Sequence, residues 1–367
     1  MKFKELFNDE WLPDWDAILR ITEFAAMGHC EQSSVWHKEG NALVHTKQVT
    51  EHLINELAKI GVYPSDDPYY VRMVSAAICH DIGKPSTTVF SEEKGDYTTR
   101  CHGNEGARIT RRLFFDDDFV MREDVCYMVR HHMDLHHVFD KPELVEKKLI
   151  GMSIGRVSIK DMLLLNICDS LGSLNDFETP DTVERHFLMV KNASEALGCY
   201  DSKFKFVRPE ARHSFFHDRD CHDVKDAKSI KYRFYMYVMI GTPGSGKDTW
   251  IKKNLSNYKT LCRDDIRKEI GLQGEKPQGT KEQEERVTQI FNDRLKEYCK
   301  DGIDFVVNNT NVRKCYRDVY NDVAMEYGAC VVYVYVEAPS LHENKKRREG
   351  MMPLSVIDRM WGQLDFP

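Results

Sequence analysis

The hydrophobic pattern of this chain changes near residue 233, and that change constrains the fold more than any other feature. Over residues 11–200, apolar side chains recur at the three- and four-residue spacing of amphipathic helices. After residue 233, apolar runs rich in β-forming residues alternate with helical patterns. These runs lie at 234–240, 259–262, 304–308 and 330–336. Such alternation is typical of a parallel sheet covered by helices. We therefore predict an all-α domain followed by an α/β domain with a parallel sheet.

The boundary between the two predicted domains lies in a charged segment without hydrophobic periodicity. We assign residues 1–200 to the first domain, 201–232 to a linker and 233–367 to the second domain. A chain of 367 residues is long enough for two such domains. In the first domain, no run alternates for long enough to predict a β-sheet.

The charge of the chain argues against a broad basic surface for nucleic acid. Lys and Arg number 52 against 59 Asp and Glu, a net charge of −7, so any contact with nucleic acid is expected at a local site.

No window approaches the ~20 apolar residues of a membrane span, and the acidic first residues do not resemble a targeting leader. The eleven cysteines occur singly, without CxxC pairs, which argues against a disulfide framework or a zinc ribbon. These features predict a cytoplasmic protein that does not enter a membrane.

The strongest local signal is a glycine-rich turn between the first strand and the first helix predicted for the second domain. In this context backbone N–H groups turn inward around phosphate oxygens, and the N-terminus of the helix contributes a partial positive charge that attracts the phosphate. The alternative is a turn that merely joins a strand to a helix. We predict an ATP- or NTP-binding P-loop formed by Gly241, Thr242, Gly244, Ser245, Gly246, Lys247, Asp248 and Thr249. Lys247 would reach the β- and γ-phosphates, and either Asp248 or Thr249 would serve Mg²⁺ in place of the usual hydroxyl.

Polar segments follow the other strands predicted for the second domain, at 263–267, 308–311 and 342–350. Ligands of open parallel sheets bind beyond the carboxyl ends of the strands, so we expect these segments to surround the P-loop. The succession GTPGSGKDTW, CRDDIRKEI, NNTN and NKKRREGMMPLSVIDRM resembles the polynucleotide 5′-hydroxyl kinase family, over residues 234–367.

That resemblance implies roles for three side chains of the second domain. Asp264 would accept the proton of the attacking 5′-OH, Arg267 would contact the acceptor phosphate, and Arg347 would stabilise the transferring phosphoryl group. Asp264 also fits a plain helix N-terminus, where carboxylates are common. Where members of the family often have Asp before the T-N run, this chain has Asn308, which argues against a metal role at that position.

A second set of chemically active residues lies in the first domain, in the order His45, His80, Asp81, His102, His131, His132 and Asp169. Asp169 shares a predicted helical face with Met162 and Leu165. A carboxylate on an apolar face is costly unless it is paired or binds a cation. Because imidazoles with carboxylates suit Mn, Fe, Co, Ni or Zn, we predict one or two divalent transition metals here.

The order H…HD…H…HH…D, with the motif HDxGK, resembles the HD phosphohydrolase superfamily over residues 40–175. The resemblance implies one metal held by His45, His80, Asp81 and Asp169, with Asp81 bridging to a second metal held by His102, His131 and His132. It also implies that Lys84 touches the substrate phosphate. His102 fits a plain helix entry as well, and neighbours such as His131 and His132 point about 100° apart on a helix. We expect His37 and His136 to be ordinary surface or core residues, and Trp36 to pack in a core or between domains.

Together the two sites resemble the bifunctional HD-domain polynucleotide kinases. This resemblance implies an end-healing enzyme that removes a 3′-phosphate or a 2′,3′-cyclic phosphate and phosphorylates a 5′-OH. Its partners would be RNA or DNA ends, ATP and a nucleic-acid ligase acting downstream. One alternative is a nucleotide or nucleoside kinase fused to a nucleotide phosphohydrolase, and another is a regulatory module whose P-loop only binds nucleotide. For the first domain, hydrolysis of cyclic nucleotides or nucleoside triphosphates is a further alternative.

Overall fold

The computed structural model describes residues 1–208, 211–218, 220–229, 231–272 and 280–365. The chain divides into two compact units, Met1–Lys205 and Phe206–Pro367, and each contains its own cluster of buried hydrophobic side chains. Within the described ranges, every helix is too short or too polar to cross a membrane.

The first unit is built mainly of helices. These are α1 (Trp15–Ile18), α2 (Thr22–Met27), α3 (Ala42–Lys59), α4 (Pro68–Cys79), α5 (Lys84–Thr87), α6 (His102–Leu113), α7 (Phe119–His131), α8 (Val145–Ser153), α9 (Ile159–Gly172) and α10 (Pro180–Ala196), with 3₁₀ turns at Phe3–Leu6, Val138–Asp140 and Pro142–Leu144. Helix α4 packs against α3, α7 and α9, and Leu53, Val74, Met128 and Leu165 are fully buried among them. Since the helical spacing of apolar residues places these side chains on inward faces, the predicted all-α character is confirmed.

A small β-hairpin departs from the expectation that this unit contains no sheet. Strands β1 (Thr88–Ser91) and β2 (Asp96–Thr99) pair antiparallel, with Thr88 opposite Thr99. Each strand has four residues, and the apolar Val89 and Phe90 are both exposed. Such a hairpin shows no alternation of buried and exposed side chains, so hydrophobic periodicity does not reveal it.

The second unit contains a four-stranded parallel sheet covered by helices, as predicted. Its elements are α11 (Ala211–His217), β3 (Phe234–Ile240), α12 (Lys247–Asn254), β4 (Lys259–Leu261), α13 (Arg263–Glu269), α14 (Lys281–Asp301), β5 (Phe305–Val307), α15 (Lys314–Tyr327), β6 (Ala329–Tyr335), α16 (Leu341–Lys346) and α17 (Leu354–Gly362). The strand order is β4-β5-β3-β6, and all three pairs are parallel. The inner strand β3 buries Met236 and Val238 completely.

The carboxyl ends of the four strands meet at one edge of the sheet. Gly241 N donates to Thr310 O at 3.0 Å, and Asn308 N donates to Leu261 O at 2.9 Å. The segments that follow β3, β4 and β5 therefore lie beside one another. Part of the predicted linker forms α11, which packs on α15 within the second unit; the linker boundaries remain a prediction.

Candidate active sites

The first site is a buried cluster of imidazoles and carboxylates, which we call the metal cluster: His45, His80, Asp81, His102, His132 and Asp169. His45 lies on α3, His80 and Asp81 follow α4, His102 begins α6, His132 follows α7 and Asp169 lies on α9. All six side chains are buried or nearly so. Packing of five helices thus brings together residues that are up to 124 positions apart.

One half of the metal cluster surrounds Asp81 Oδ2 and Asp169 Oδ1. His45 Nε2 lies 2.9 Å from Asp169 Oδ1 and 3.6 Å from Asp81 Oδ2. His80 Nε2 lies 3.5 Å and 3.3 Å from the same two oxygens. The four residues predicted for one metal therefore converge on one point.

The other half surrounds Asp81 Oδ1. The Nε2 atoms of His102 and His132 lie 3.5 Å and 3.9 Å from this oxygen and 3.0 Å from each other. Gly83 makes this approach possible, because a Cβ there would lie 2.2 Å from His102 O and 2.5 Å from Gly106 N. The glycine of the HDxGK motif thus allows the start of α6 to pack against the motif.

The donor atoms of the metal cluster fit a bound cation. His80 Nδ1 donates to Ala77 O and His132 Nδ1 donates to Val129 O, both at 2.7 Å, so each Nε2 faces the cluster, where it would offer its lone pair to a bound metal ion. Among the described residues, Asp81 Oδ1 and His80 Nε2 have no hydrogen-bond partner, and Asp81 Oδ2 is ion-paired with Lys84. Buried groups in this state are costly unless a positive charge lies among them.

The electrostatics of the metal cluster also call for a positive charge. Burial opposes ionisation of Asp81, but Lys84 and His80 outweigh it and hold its pKa well below the usual range. Burial opposes protonation of His80, but Asp81 and Asp169 outweigh it and raise its pKa to about 10. Burial and the neighbouring His102 lower the pKa of His132 to about 3. The two carboxylates therefore favour a positive charge between the rings, which either a proton or a metal ion would supply.

Two histidines lie differently from what the sequence predicts. His131 was expected with His132, but its ring packs on Tyr127 and its Nδ1 lies 2.7 Å from Asp134 Oδ2. Since consecutive helical residues point about 100° apart, His132 faces the metal cluster and His131 faces away. His136, expected to be an ordinary residue, instead places its Nε2 3.8 Å from Asp169 Oδ2.

Sequence reasoning missed a second layer of polar groups behind the metal cluster. The fully buried carboxylate of Glu39 places Oε1 3.1 Å from His45 Nδ1 and 2.7 Å from His37 Nδ1. Lys84 lies 2.7 Å from Asp81 Oδ2 and donates to Gln32 Oε1 at 2.6 Å. Glu39 and Gln32 lie in the segment before α3, and a lone polar residue there carries no recognisable spacing. Only the fold identifies them.

The second site is the P-loop at the carboxyl end of β3. Gly246 begins α12 with a φ of 105°, a left-handed conformation that favours glycine. Lys247 Nζ donates to Gly241 O at 2.8 Å and to Thr242 O at 3.0 Å. Burial lowers the pKa of Lys247 to about 8. The lysine therefore lies across its own loop, where a nucleotide phosphate would compete with these carbonyls for the ammonium group.

The two predicted magnesium ligands, Asp248 and Thr249, are both exposed in the first turn of α12. Asn308 Nδ2 donates to Asp248 Oδ1 at 2.6 Å. Asp248 therefore has a partner at the end of β5, although the sequence argued against a metal role for Asn308 itself. Thr249 and the buried Ser245 complete the predicted loop.

The predicted proton acceptor lies at the end of β4, in the first turn of α13. Arg267 Nη1 donates to Asp264 Oδ1 at 2.5 Å, and the same guanidinium donates to both oxygens of Glu284 on α14 at 2.9 and 3.0 Å. The two carboxylates raise the pKa of Arg267, with Glu284 contributing most. The structure thus brings Asp264 and Arg267 together, and Glu284, which sequence reasoning missed, holds the arginine in place.

Helices α16 and α17 with the residues between them, which we call the lid, contact the P-loop through Arg347 and a buried asparagine. Arg347 Nη1 donates to Gly244 O at 3.2 Å. Asn344 Nδ2 donates to Pro243 O at 2.7 Å, and its Oδ1 accepts from Thr242 Oγ1 at 2.8 Å and from Trp361 Nε1 at 2.9 Å. Asn344 is fully buried, so it joins α16 and α17 to the P-loop. Sequence reasoning noted the basic residues around it and missed the asparagine.

Each of the two units contains a stretch that matches a known family model. Residues 44–152 match the model of the HD domain, and residues 236–367 match that of the AAA domain. A chain of the solved structure described as "Structure of the Pnkp1/Rnl/Hen1 RNA repair complex" is 22% identical, with a TM-score of 0.33. The match covers 38% of this chain and 46% of that chain, less than half the length of the solved chain. The two family matches, on either side of the predicted linker, confirm that this chain joins an HD domain to a P-loop domain of the AAA type.

Proposed function

We propose that this protein is a bifunctional enzyme that heals nucleic-acid ends. Its first unit acts as a metal-dependent phosphoesterase on 3′-phosphate or 2′,3′-cyclic-phosphate ends, and its second unit acts as a polynucleotide 5′-hydroxyl kinase. The observation that carries the proposal is that one chain contains two separate sets of side chains whose chemistry suits phosphate groups. One is the metal cluster with Lys84, and the other is the P-loop lysine with the Asp264–Arg267 pair.

In the kinase reaction, Asp264 accepts the proton of the 5′-OH as that oxygen attacks the γ-phosphorus of ATP. The hydrogen bond from Arg267 favours the ionised carboxylate that this role requires. The bond between the γ-phosphorus and the β,γ-bridging oxygen breaks, and ADP leaves. Lys247 and Arg347, both hydrogen-bonded to the P-loop, are the cations that stabilise the transferring phosphoryl group. Mg²⁺ would accompany ATP, and Asp248 or Thr249 would hold it.

In the phosphoesterase reaction, His45, His80, Asp81 and Asp169 would hold one divalent transition metal, and Asp81, His102 and His132 would hold a second. Bound in this way, such ions supply Lewis acidity and activate water at neutral pH. Lys84 binds a phosphate oxygen of the substrate, since it lines the same cavity as Asp81, His102 and Asp169. The proposal leaves out His131 because its ring turns towards Asp134.

The two reactions produce a 3′-OH and a 5′-phosphate, which are the ends that a nucleic-acid ligase joins. We therefore propose RNA or DNA ends and ATP as substrates, a ligase that acts downstream and a cytoplasmic location.

The test uses one oligonucleotide that carries a 5′-OH and a 2′,3′-cyclic phosphate, incubated with ATP, Mg²⁺ and a transition metal. We expect Lys247→Ala to abolish 5′-phosphorylation alone and Asp81→Ala to abolish removal of the cyclic phosphate alone. Lys253→Ala and Asp66→Ala, both on exposed residues, are the matched controls. Loss of both reactions in either variant would contradict the division into two sites, and phosphorylation of free nucleosides in preference to the oligonucleotide would contradict the end-healing role.

A further inference from the structure

Two aromatic side chains of the first unit pack on each other while remaining largely in solvent. The rings of Trp36 and Phe177 have centroids 5.0 Å apart at an interplanar angle of 40°. Trp36 is 51% exposed and Phe177 is 61% exposed. Trp36 therefore does not pack in a core, which was one of the two roles expected for it from the sequence. An exposed aromatic pair of this size marks a surface where a ligand can bury it.

Trp36, one ring of the aromatic pair, faces the cavity at the metal cluster. Trp36 lines a cavity of about 820 Å³ whose wall also includes Asp81, Lys84, His132 and Asp169. Cavities that enclose small ligands have volumes of ~300–1,000 Å³. A group held by the metal cluster and a flat group lying against Trp36 can therefore belong to one molecule.

Hydrogen bonds connect the segments that carry the aromatic pair to each other and to the metal cluster. Lys38 N donates to Leu174 O at 2.8 Å, and Lys38 also forms an ion pair with Asp176. Leu174 N donates to Glu39 Oε2 at 2.8 Å, and the other oxygen of Glu39 faces His45. The segments that carry Trp36 and Phe177 are thus joined to each other and to a metal-cluster histidine, so the pair is preorganised.

We propose that Trp36, supported by Phe177, stacks the unpaired nucleobase of the terminal nucleotide whose phosphate lies at the metal cluster; this inference rests on the phosphoesterase function proposed above. Because every base has a flat face, stacking on an aromatic ring does not depend on which base is present. A base within a duplex is covered by its neighbours and must be unstacked first, which costs a few kcal/mol. The site therefore selects single-stranded 3′ ends over recessed, base-paired ones.

The test compares wild type, Trp36→Ala and Trp36→Phe on 3′-phosphorylated oligonucleotides. One oligonucleotide ends in a normal nucleotide, and the other ends in a base-free tetrahydrofuran residue. We expect Trp36→Ala to raise KM about 5- to 150-fold on the first, as the loss of ~1–3 kcal/mol of base stacking predicts. We expect no change on the second or on glycerol 2-phosphate, and near-normal KM for Trp36→Phe. Tyr63→Ala, which removes another exposed aromatic ring, is the matched control.

Binding of the same oligonucleotides, labelled with fluorescein and phosphorylated at the 5′ end to block the kinase acceptor site, provides a readout independent of turnover. Weaker binding of the base-bearing end alone to Trp36→Ala would support the inference. Equal binding by wild type and Trp36→Ala, or an equal loss for the base-free end, would overturn it. If wild type hydrolyses none of these phosphates, the proposed phosphoesterase function fails, while the binding comparison still decides the role of Trp36.

Discussion

The two candidate sites differ in how the chain assembles them. The P-loop is one continuous stretch, residues 241–249, whose shape follows from its own backbone and the start of α12. The metal cluster instead takes its residues from five helices or their ends, from His45 to Asp169. A local site depends on the few residues that touch it, whereas a dispersed site depends on a surrounding layer of groups that orient its members. The following predictions test this difference, beginning with the largest expected effect.

Replacing the predicted proton acceptor of the second unit should affect catalysis alone. We expect Asp264→Asn to lower kcat for 5′-phosphorylation by ~10²- to 10⁴-fold, because a positioned general base contributes about this factor. ATP affinity should stay unchanged, since the P-loop is a separate stretch of backbone. Asp265→Asn, on the exposed neighbour paired with Lys268, is the control. Steady-state kinetics with calorimetric ATP binding measure both quantities, and an equal loss of ATP binding would contradict the local character of the P-loop.

Replacing Glu39 should show how strongly the metal cluster depends on its surroundings. We expect Glu39→Gln to weaken metal binding by ~10- to 100-fold, because removing a carboxylate that orients a ligating histidine typically has this effect. Competition with a metal-sensitive dye measures the affinity without any need for catalysis. Glu31→Gln, on an exposed residue of the same segment, should bind metal normally. Unchanged affinity in Glu39→Gln would mean that His45 is oriented by packing alone.

Replacing Asn344 tests whether the P-loop is as independent as its continuity indicates. Asn344→Ala removes three hydrogen bonds of a fully buried side chain. We expect the free energy of unfolding of the second unit to fall by about 1–3 kcal/mol, with weaker ATP binding. Asn254→Ala removes one exposed hydrogen bond on α12 and should change neither quantity. A stable variant with normal ATP affinity would show that the loop keeps its shape without the lid.

The smallest effect concerns pH and Lys247. Burial lowers the pKa of Lys247 to about 8. The side chain is therefore fully protonated well below pH 8 and loses its charge as the pH rises above 8. ATP binding requires the charged form, so we expect the affinity to be constant near pH 7 and to fall by up to ~10-fold per pH unit above pH 8. Lys247→Arg should abolish this dependence because arginine stays charged. Calorimetry between pH 7 and 9.5 measures the profile, and a flat wild-type curve would contradict the lowered pKa.

The contrast between the sites also explains which features could be predicted from the sequence. Strand β3 was predicted at its observed residues, and the P-loop after it is a local pattern that needs no tertiary information. His80 and Asp81 are adjacent in the chain, so their motif was equally visible. Asn344 contacts Thr242, 102 positions away, and Glu39 contacts Leu174, 135 positions away. Nothing in their immediate neighbours distinguishes these two residues from ordinary polar residues.

The orientation of individual histidines was the other feature beyond the reach of the sequence. A spacing of one residue fixes the angle between His131 and His132 but does not say which of them points inward. The packing of α6 against α7 decides this, and it places His132 beside His102. His136 could be identified only once the turn after α7 was known to return towards Asp169.

The central position of Asp81 has a thermodynamic consequence. One of its oxygens faces His45 and His80, while the other faces His102 and His132. Two cations in these half-sites would share a single carboxylate, so occupancy of one changes the charge available to the other. Their binding constants are therefore linked, and a titration of this domain with metal should follow a coupled two-step isotherm instead of two independent saturation curves.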